Sequence, residues 1–158
     1  LQTTSGVFKD GAEAVNAFLA ESQFADTSVQ HILSPSASKD AGLGGRNTTS
    51  VKDCGELLSR IYKGECVSKE ASEAMLNLLL NQQVTTKIPS GISASVEIAN
   101  KTGETDTDQH DIAIVYGEKT TYILCVMSEN CKSGDAVSHI RDISGIVYNY
   151  LNMRLDQD

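Results

Sequence analysis

Ser95-Val96-Glu97-Ile98-Ala99-Asn100-Lys101-Thr102-Gly103-Glu104 is the stretch on which the reading of this chain turns. Val96 and Ile98 alternate with Ser95 and Glu97, the period of a strand with one face toward a core. Lys101-Thr102-Gly103 closes that run, so these three residues are expected at the strand's end. An ammonium supplies charge, a hydroxyl supplies one oriented hydrogen bond, and a glycine lets a ligand approach the backbone. Together they suit an anionic ligand. By itself a Lys-Thr-Gly tripeptide is usually an ordinary turn, so its neighbourhood decides.

Downstream, two further apolar runs follow, Ile112 to Tyr116 and Tyr122 to Met127. Strands are expected at about 94 to 101, 110 to 116 and 120 to 128. Gly117-Glu118-Lys119-Thr120 joins the last two as a hairpin. Tyr122 to Met127 is apolar at every position, which predicts burial on both faces. A long amphipathic helix from about Gly134 to Leu155 closes the chain, with Val137, Ile140, Ile143, Val147, Tyr150 and Leu151 in one stripe.

Upstream, helical spacing dominates. Asp10 to Glu21 reads as a helix with Val15, Phe18 and Leu19 on its apolar side. Residues 22 to 49 are polar and irregular, punctuated by Ser34-Pro35-Ser36 and Gly42-Leu43-Gly44-Gly45. Loops of that length are often functional. Ser50 can cap a helix, with Asp53 three residues on. Val51, Cys54, Leu57, Leu58 and Ile61 follow at helical spacing until Gly64. Ser68 caps the next helix, which carries Met75, Leu76, Leu79 and Leu80, and Pro89 and Gly91 end the helical region. The expected architecture is α/β of the α+β kind. A helical part (1–92) precedes three antiparallel strands (93–131) and a C-terminal helix (132–158), all one partial domain.

Composition narrows the function classes. The 158 residues carry a formal charge of -8, have no Trp and are 5% aromatic. Such a chain is a poor partner for a phosphate backbone and offers no aromatic platform for bases. No apolar run approaches a membrane span. The sequence opens at Leu1 and carries no signal peptide, so a mature or processed piece of a longer product is expected. Cys54, Cys66, Cys125 and Cys131 do not have zinc-site spacing, and His31, His110 and His139 are scattered, so no metal is expected. Neither local cysteine pair suits a disulfide. Cys54 and Cys66 flank a helix, whose rise of about 1.5 Å per residue separates them too far. A long-range bridge or four free thiols both remain open.

The ordered series of residues resembles the penicillin-recognising serine hydrolases, the class A β-lactamases and related penicillin-binding proteins. Glu13-Ala14-Val15-Asn16-Ala17-Phe18-Leu19 resembles the helix after that family's Ser-Asp-Asn motif. Asn47-Thr48-Thr49-Ser50-Val51-Lys52-Asp53 resembles the start of a later helix. Ala71-Ser72-Glu73-Ala74-Met75-Leu76 and Ile88-Pro89-Ser90-Gly91-Ile92 resemble the approach to the Lys-Thr-Gly strand, and His110-Asp111-Ile112-Ala113-Ile114-Val115-Tyr116 the strand after it. The resemblance runs from about residue 11 to 155 and covers only the later part of the family's length. It implies acyl transfer to a serine, with no cofactor, in an extracellular, cell-envelope or periplasmic setting. It implies that Lys101 supplies positive potential, that Thr102 hydrogen-bonds a substrate carboxylate beside Gly103, and that the Glu104 backbone N–H forms half of an oxyanion hole. His110 stands roughly where class A enzymes often place an arginine for that carboxylate.

Other parts of that chemistry are missing. Ser36-Ala37-Ser38-Lys39 spells Ser-x-x-Lys, but Asp40 to Gly45 cannot continue the helix that would stack serine and lysine one turn apart. Glu73-Ala74-Met75-Leu76-Asn77 and Ser128-Glu129-Asn130 imitate other family motifs at the wrong places in the order. Residues 31 to 49 contain no Glu, and Asp40 is their one acid. The expectation is therefore one wall of a site for β-lactams or D-Ala-D-Ala-type peptidoglycan peptides, inactive alone. A second polypeptide is expected to supply the nucleophile and a strand beside residues 122 to 127. The alternative is a non-catalytic cell-wall-peptide-binding module or a structural domain of the same fold.

Overall fold

In a computed structural model, residues 8–30 and 46–152 are described, and the chain divides into two units, Leu1–Asp53 and Cys54–Asp158. In the first unit, α1 spans Phe8–Glu21. Ala12 is buried, whereas Phe18, expected on the apolar side, is 53% exposed. Asn16 ties the helix to the following segment, its Nδ2 donating to Val29 O at 2.9 Å and its Oδ1 accepting from Val29 N at 2.8 Å. Ser28 and Thr48 form an antiparallel bridge. α2 spans Val51–Lys63, its first three residues in this unit and Cys54–Lys63 in the second, and begins as expected, with Asp53 N donating to Ser50 Oγ at 3.1 Å. The Asp53 carboxylate instead accepts from Asp26 N (2.9 Å) and Thr27 Oγ1 (2.7 Å), which explains its burial. The Ser36–Lys39 segment lies outside the described residues.

The second unit is a three-stranded antiparallel sheet in the order β1-β2-β3, with β1 at Ile98–Glu104, β2 at Gln109–Tyr116 and β3 at Thr121–Ser128. Alternation sends side chains to two faces, each with its own core. One face carries Ala99, Ile112, Ile114, Ile123 and Cys125 and meets Leu58 of α2 and Leu76, Leu79 and Leu80 of α3 (Lys69–Leu80). The other carries Ala113, Val115, Leu124 and Val126 and meets Ile88 with Ile140 and Tyr148 of α4 (Ser133–Asn152). Ser68 caps α3 by accepting from Ala71 N at 3.1 Å, and Gly64 leaves α2 at φ 76°, a conformation glycine tolerates without strain. All four cysteines are free thiols, and burial pushes the Cys125 thiol up to about 11.

Four expectations are corrected. β1 runs from Ile98 to Glu104, so Lys101-Thr102-Gly103 lies within the strand rather than at its end. The apolar residues at 94 and 96 pack on the core without joining the ladder. Tyr122 to Met127 touches both cores, yet every residue is only half-buried, because among the described residues no strand pairs with the far side of β3. The buried stripe of α4 is Ala136, Ile140, Ser144, Tyr148 and Asn152, while Ile143 and Tyr150 are exposed. Polar members of that stripe are buried because they have partners. Ser144 Oγ donates to Ile88 O at 2.8 Å, and Asn152 Oδ1 accepts from Lys119 N and Thr120 N at 2.9 Å, clamping the β2–β3 hairpin.

Candidate active site

Register places Lys101 opposite Ile112, Thr102 opposite Asp111, Gly103 opposite His110 and Glu104 opposite Gln109. Alternation then puts Lys101, Gly103 and His110 on one face, and Thr102 and Glu104 on the other with Asp111. A Cβ at Gly103 would lie 3.5 Å from His110 Cδ2, so the two residues are stacked closely. His110 Nδ1 is buried without a hydrogen-bond partner. Lys101 is exposed, and its Nζ donates to Thr102 O.

The backbone of β1 is directed by its pairing. Tyr116 N donates to Glu97 O at 3.0 Å, and Thr105 N to Asp108 O at 3.0 Å. Hydrogen-bonded pairs alternate with non-bonded ones along an antiparallel ladder, so Ala99, Lys101 and Gly103 turn their N–H and C=O toward β2. Asn100, Thr102 and Glu104 turn theirs to the outer side. Because β1 is an outer strand, no strand pairs with that side among the described residues, and Thr102 O there accepts from Lys101 Nζ. The Glu104 N–H therefore points out along the edge on which Lys101 stands. An open cleft lined by Glu104, Thr105, Asp106, Gln109 and Ser133 adjoins this end of the strand.

Behind β1 lies a polar cluster that sequence reasoning missed. Asp111 is fully buried and accepts from Ile88 N at 2.9 Å and Asn100 Nδ2 at 3.1 Å. Desolvation raises its pKa, with Asn100, the Ile88 N–H and the Lys87 charge acting against that rise. Lys87, 1% exposed, directs its Nζ to His110 O (3.1 Å), Glu104 Oε2 (3.2 Å) and Gly103 O (3.3 Å). One signal was available: Asp111 directly precedes the apolar run Ile112 to Val115 within its strand. Lys87 gave none, since a lone lysine is ordinarily a surface residue.

The three imitations of family motifs have structural surroundings where they are described. Glu73 is an exposed residue of α3, 4.0 Å from Lys69. Ser128 Oγ donates to Gln109 O at 2.9 Å, and Asn130 forms a turn at φ 52°. Among the described residues no His, Cys, Asp and Glu group could hold a metal ion, and no helix is long and apolar enough to cross a membrane.

Residues 9–151 match the sequence pattern of the β-lactamase enzyme family. Solved structures share the fold. PBP-A superposes with a TM-score of 0.75 at 23% identity, over 88% of this chain and 51% of its own. A PBP-A variant in an acyl-enzyme complex with penicillin G gives 0.73 at 24% identity, over 88% and 51%. A β-lactamase from Sphaerobacter thermophilus gives 0.73 at 21% identity, over 89% and 54%. The chain thus spans about half the length of the structures it matches. No curated protein matches it significantly in sequence.

Proposed function

This chain belongs to the β-lactamase enzyme family, and from that premise we propose that it forms the Lys-Thr-Gly wall of a serine acyl-transfer site for β-lactams or D-Ala-D-Ala-type peptides. The observation that carries the reading is the open edge of β1, where the exposed Lys101 and the outward Glu104 N–H stand together. A serine attacking a strained amide generates an oxyanion, and a fixed N–H donor beside a cation stabilises that charge. Thr102 hydrogen-bonds the ligand carboxylate, while His110, on the opposite face of the sheet, packs against Gly103.

The nucleophile, its lysine and the Ser-x-Asn bridge come from outside residues 1–158, as a second polypeptide or a further part of the same product. The outer side of β3 receives a strand from that source. The setting is the cell envelope, periplasm or exterior, where such ligands occur. The absence of any Glu in residues 31 to 49 favours trapping of the acyl group over rapid hydrolysis. It also keeps a second reading, non-catalytic binding of cell-wall peptides in the same groove.

The test is labelling of the complete protein by a fluorescent penicillin. Covalent, stoichiometric labelling supports acyl transfer. Reversible binding of a cell-wall peptide without labelling selects the second reading, and a protein that shows neither labelling nor binding overturns both.

A further inference from the structure

Resting on that acyl-transfer reading, we infer that Lys87 is a positioning residue: its buried ammonium grips the carbonyl of the Gly103–Glu104 peptide and so aims and polarises the Glu104 N–H. An ammonium with 1% exposure has given up its hydration and is retained only where other groups replace water. Here its three N–H donors meet three acceptors, the Gly103 and His110 carbonyls and the Glu104 carboxylate. No donor is left for a ligand. The cation that meets the ligand is the exposed Lys101, and the role of Lys87 is exercised through the backbone.

The geometry of one peptide unit makes that role specific. Gly103 C=O and Glu104 N–H belong to the same planar trans amide and point in opposite directions. The carbonyl points inward to β2 and Lys87, and the N–H points to the open edge. A cation on the carbonyl oxygen draws electron density from the nitrogen, so the N–H becomes a stronger donor where an oxyanion would sit. The contact to Glu104 Oε2 also neutralises the one carboxylate belonging to the donor residue, which would otherwise repel that oxyanion. Lys87 is itself held in place, because Asp111 accepts the next residue's N–H at 2.9 Å and Ile88 is fully buried.

The test has two arms. In the first, the Glu104 amide proton is observed by NMR in the parent, Lys87→Met, Lys87→Gln and Lys87→Arg forms of the complete protein. Lys87→Met is expected to move it upfield by about 0.3 ppm or more, with Lys87→Arg close to the parent. In the second, penicillin labelling is resolved into the dissociation constant of the initial complex and the acylation rate constant. Lys87→Met is expected to slow acylation about tenfold with the dissociation constant within about twofold, and Lys87→Arg to recover most of the rate. If Lys87→Met does not fold, Lys87→Gln, which keeps a donor without the charge, is expected to show the same losses in smaller measure. A folded, uncharged variant with the parental Glu104 shift, or one that changes the dissociation constant alone, overturns the assignment of Lys87. A parent that takes no label, while the Glu104 shift still follows Lys87, overturns the acyl-transfer reading and leaves the polarised peptide standing.

Discussion

The sheet has two outer strands, and their open sides are built differently. β1 presents Lys101, Thr102 and the N–H of Glu104, and it is anchored from behind by Lys87, Asn100 and Asp111. β3 presents Tyr122 to Met127, apolar throughout, and what packs behind it among the described residues is apolar: Leu58, Leu76, Leu79 and Leu80 on one face, Ile88, Ile140 and Tyr148 on the other. Backbone N–H groups of Ile123, Cys125 and Met127 turn outward there, because Tyr122, Leu124 and Val126 pair with β2. An unpaired apolar edge is a template for another strand, and natural proteins usually cover or charge it. An unpaired polar edge with a fixed cation is suited to a small anionic ligand. The lesson is that a free edge is not one feature but two, told apart by what braces it and what it displays.

The widest separation between the edges is expected in labelling. Residues 1–158 alone are predicted to hydrolyse no chromogenic cephalosporin, and turnover abolished by Ser36→Ala would show that the nucleophile is within the chain after all. In the complete protein, Lys101→Ala is expected to slow penicillin acylation by about 100-fold or more while leaving the fold intact, since preorganised charge is a large part of such catalysis. A β3 substitution such as Met127→Pro, at an outward N–H, is expected to weaken association with the strand proposed to cover this edge, read by light scattering, without lowering acylation in protein that does assemble.

Smaller effects sharpen the contrast in bracing. Asp111→Ala leaves the Ile88 N–H and the Asn100 amide without their acceptor, at a cost of about 1–3 kcal/mol each, measurable by urea unfolding. Thr102→Ala is expected to reduce acylation about tenfold, the loss of one hydrogen bond to a charged group. The pH dependence is subtler. Burial raises the Asp111 pKa above its unfolded value, so the folded chain holds this proton more tightly. That contribution to stability is fully present below the unfolded pKa of about 3.9 and is lost as pH rises through the raised folded value. Unfolding midpoints for the parent should show this fall, and Asp111→Asn should lack it.

The strands, the helix order and the Lys-Thr-Gly edge were legible because they rest on short-range patterns: alternation, capping serines and a glycine at a helix end. What could not be read follows from pairing in space. Hydropathy selected Ile143, Val147 and Tyr150 as the inner stripe of α4, whereas Ser144 and Asn152 are buried through partners 56 and 32–33 residues away. Residues 94 to 97 alternate like a strand without being laddered as one. Lys87 and Asp111 carry charges that usually signal a surface. Only the sheet, by folding residues 87, 100, 104 and 111 together, makes them the support of the candidate site.

The most direct measurement is amide hydrogen exchange at the two edges of the complete protein, with and without penicillin. The account predicts that the Glu104 amide exchanges freely in the unliganded protein and becomes about tenfold or more slower in the acylated one, as its N–H meets the oxygen of the bound acyl group. The amides of Ile123, Cys125 and Met127 should be protected in both states by the added strand. Glu104 exchange that is indifferent to penicillin, in protein shown to be fully acylated, would contradict the assignment of the β1 edge as the ligand-facing wall.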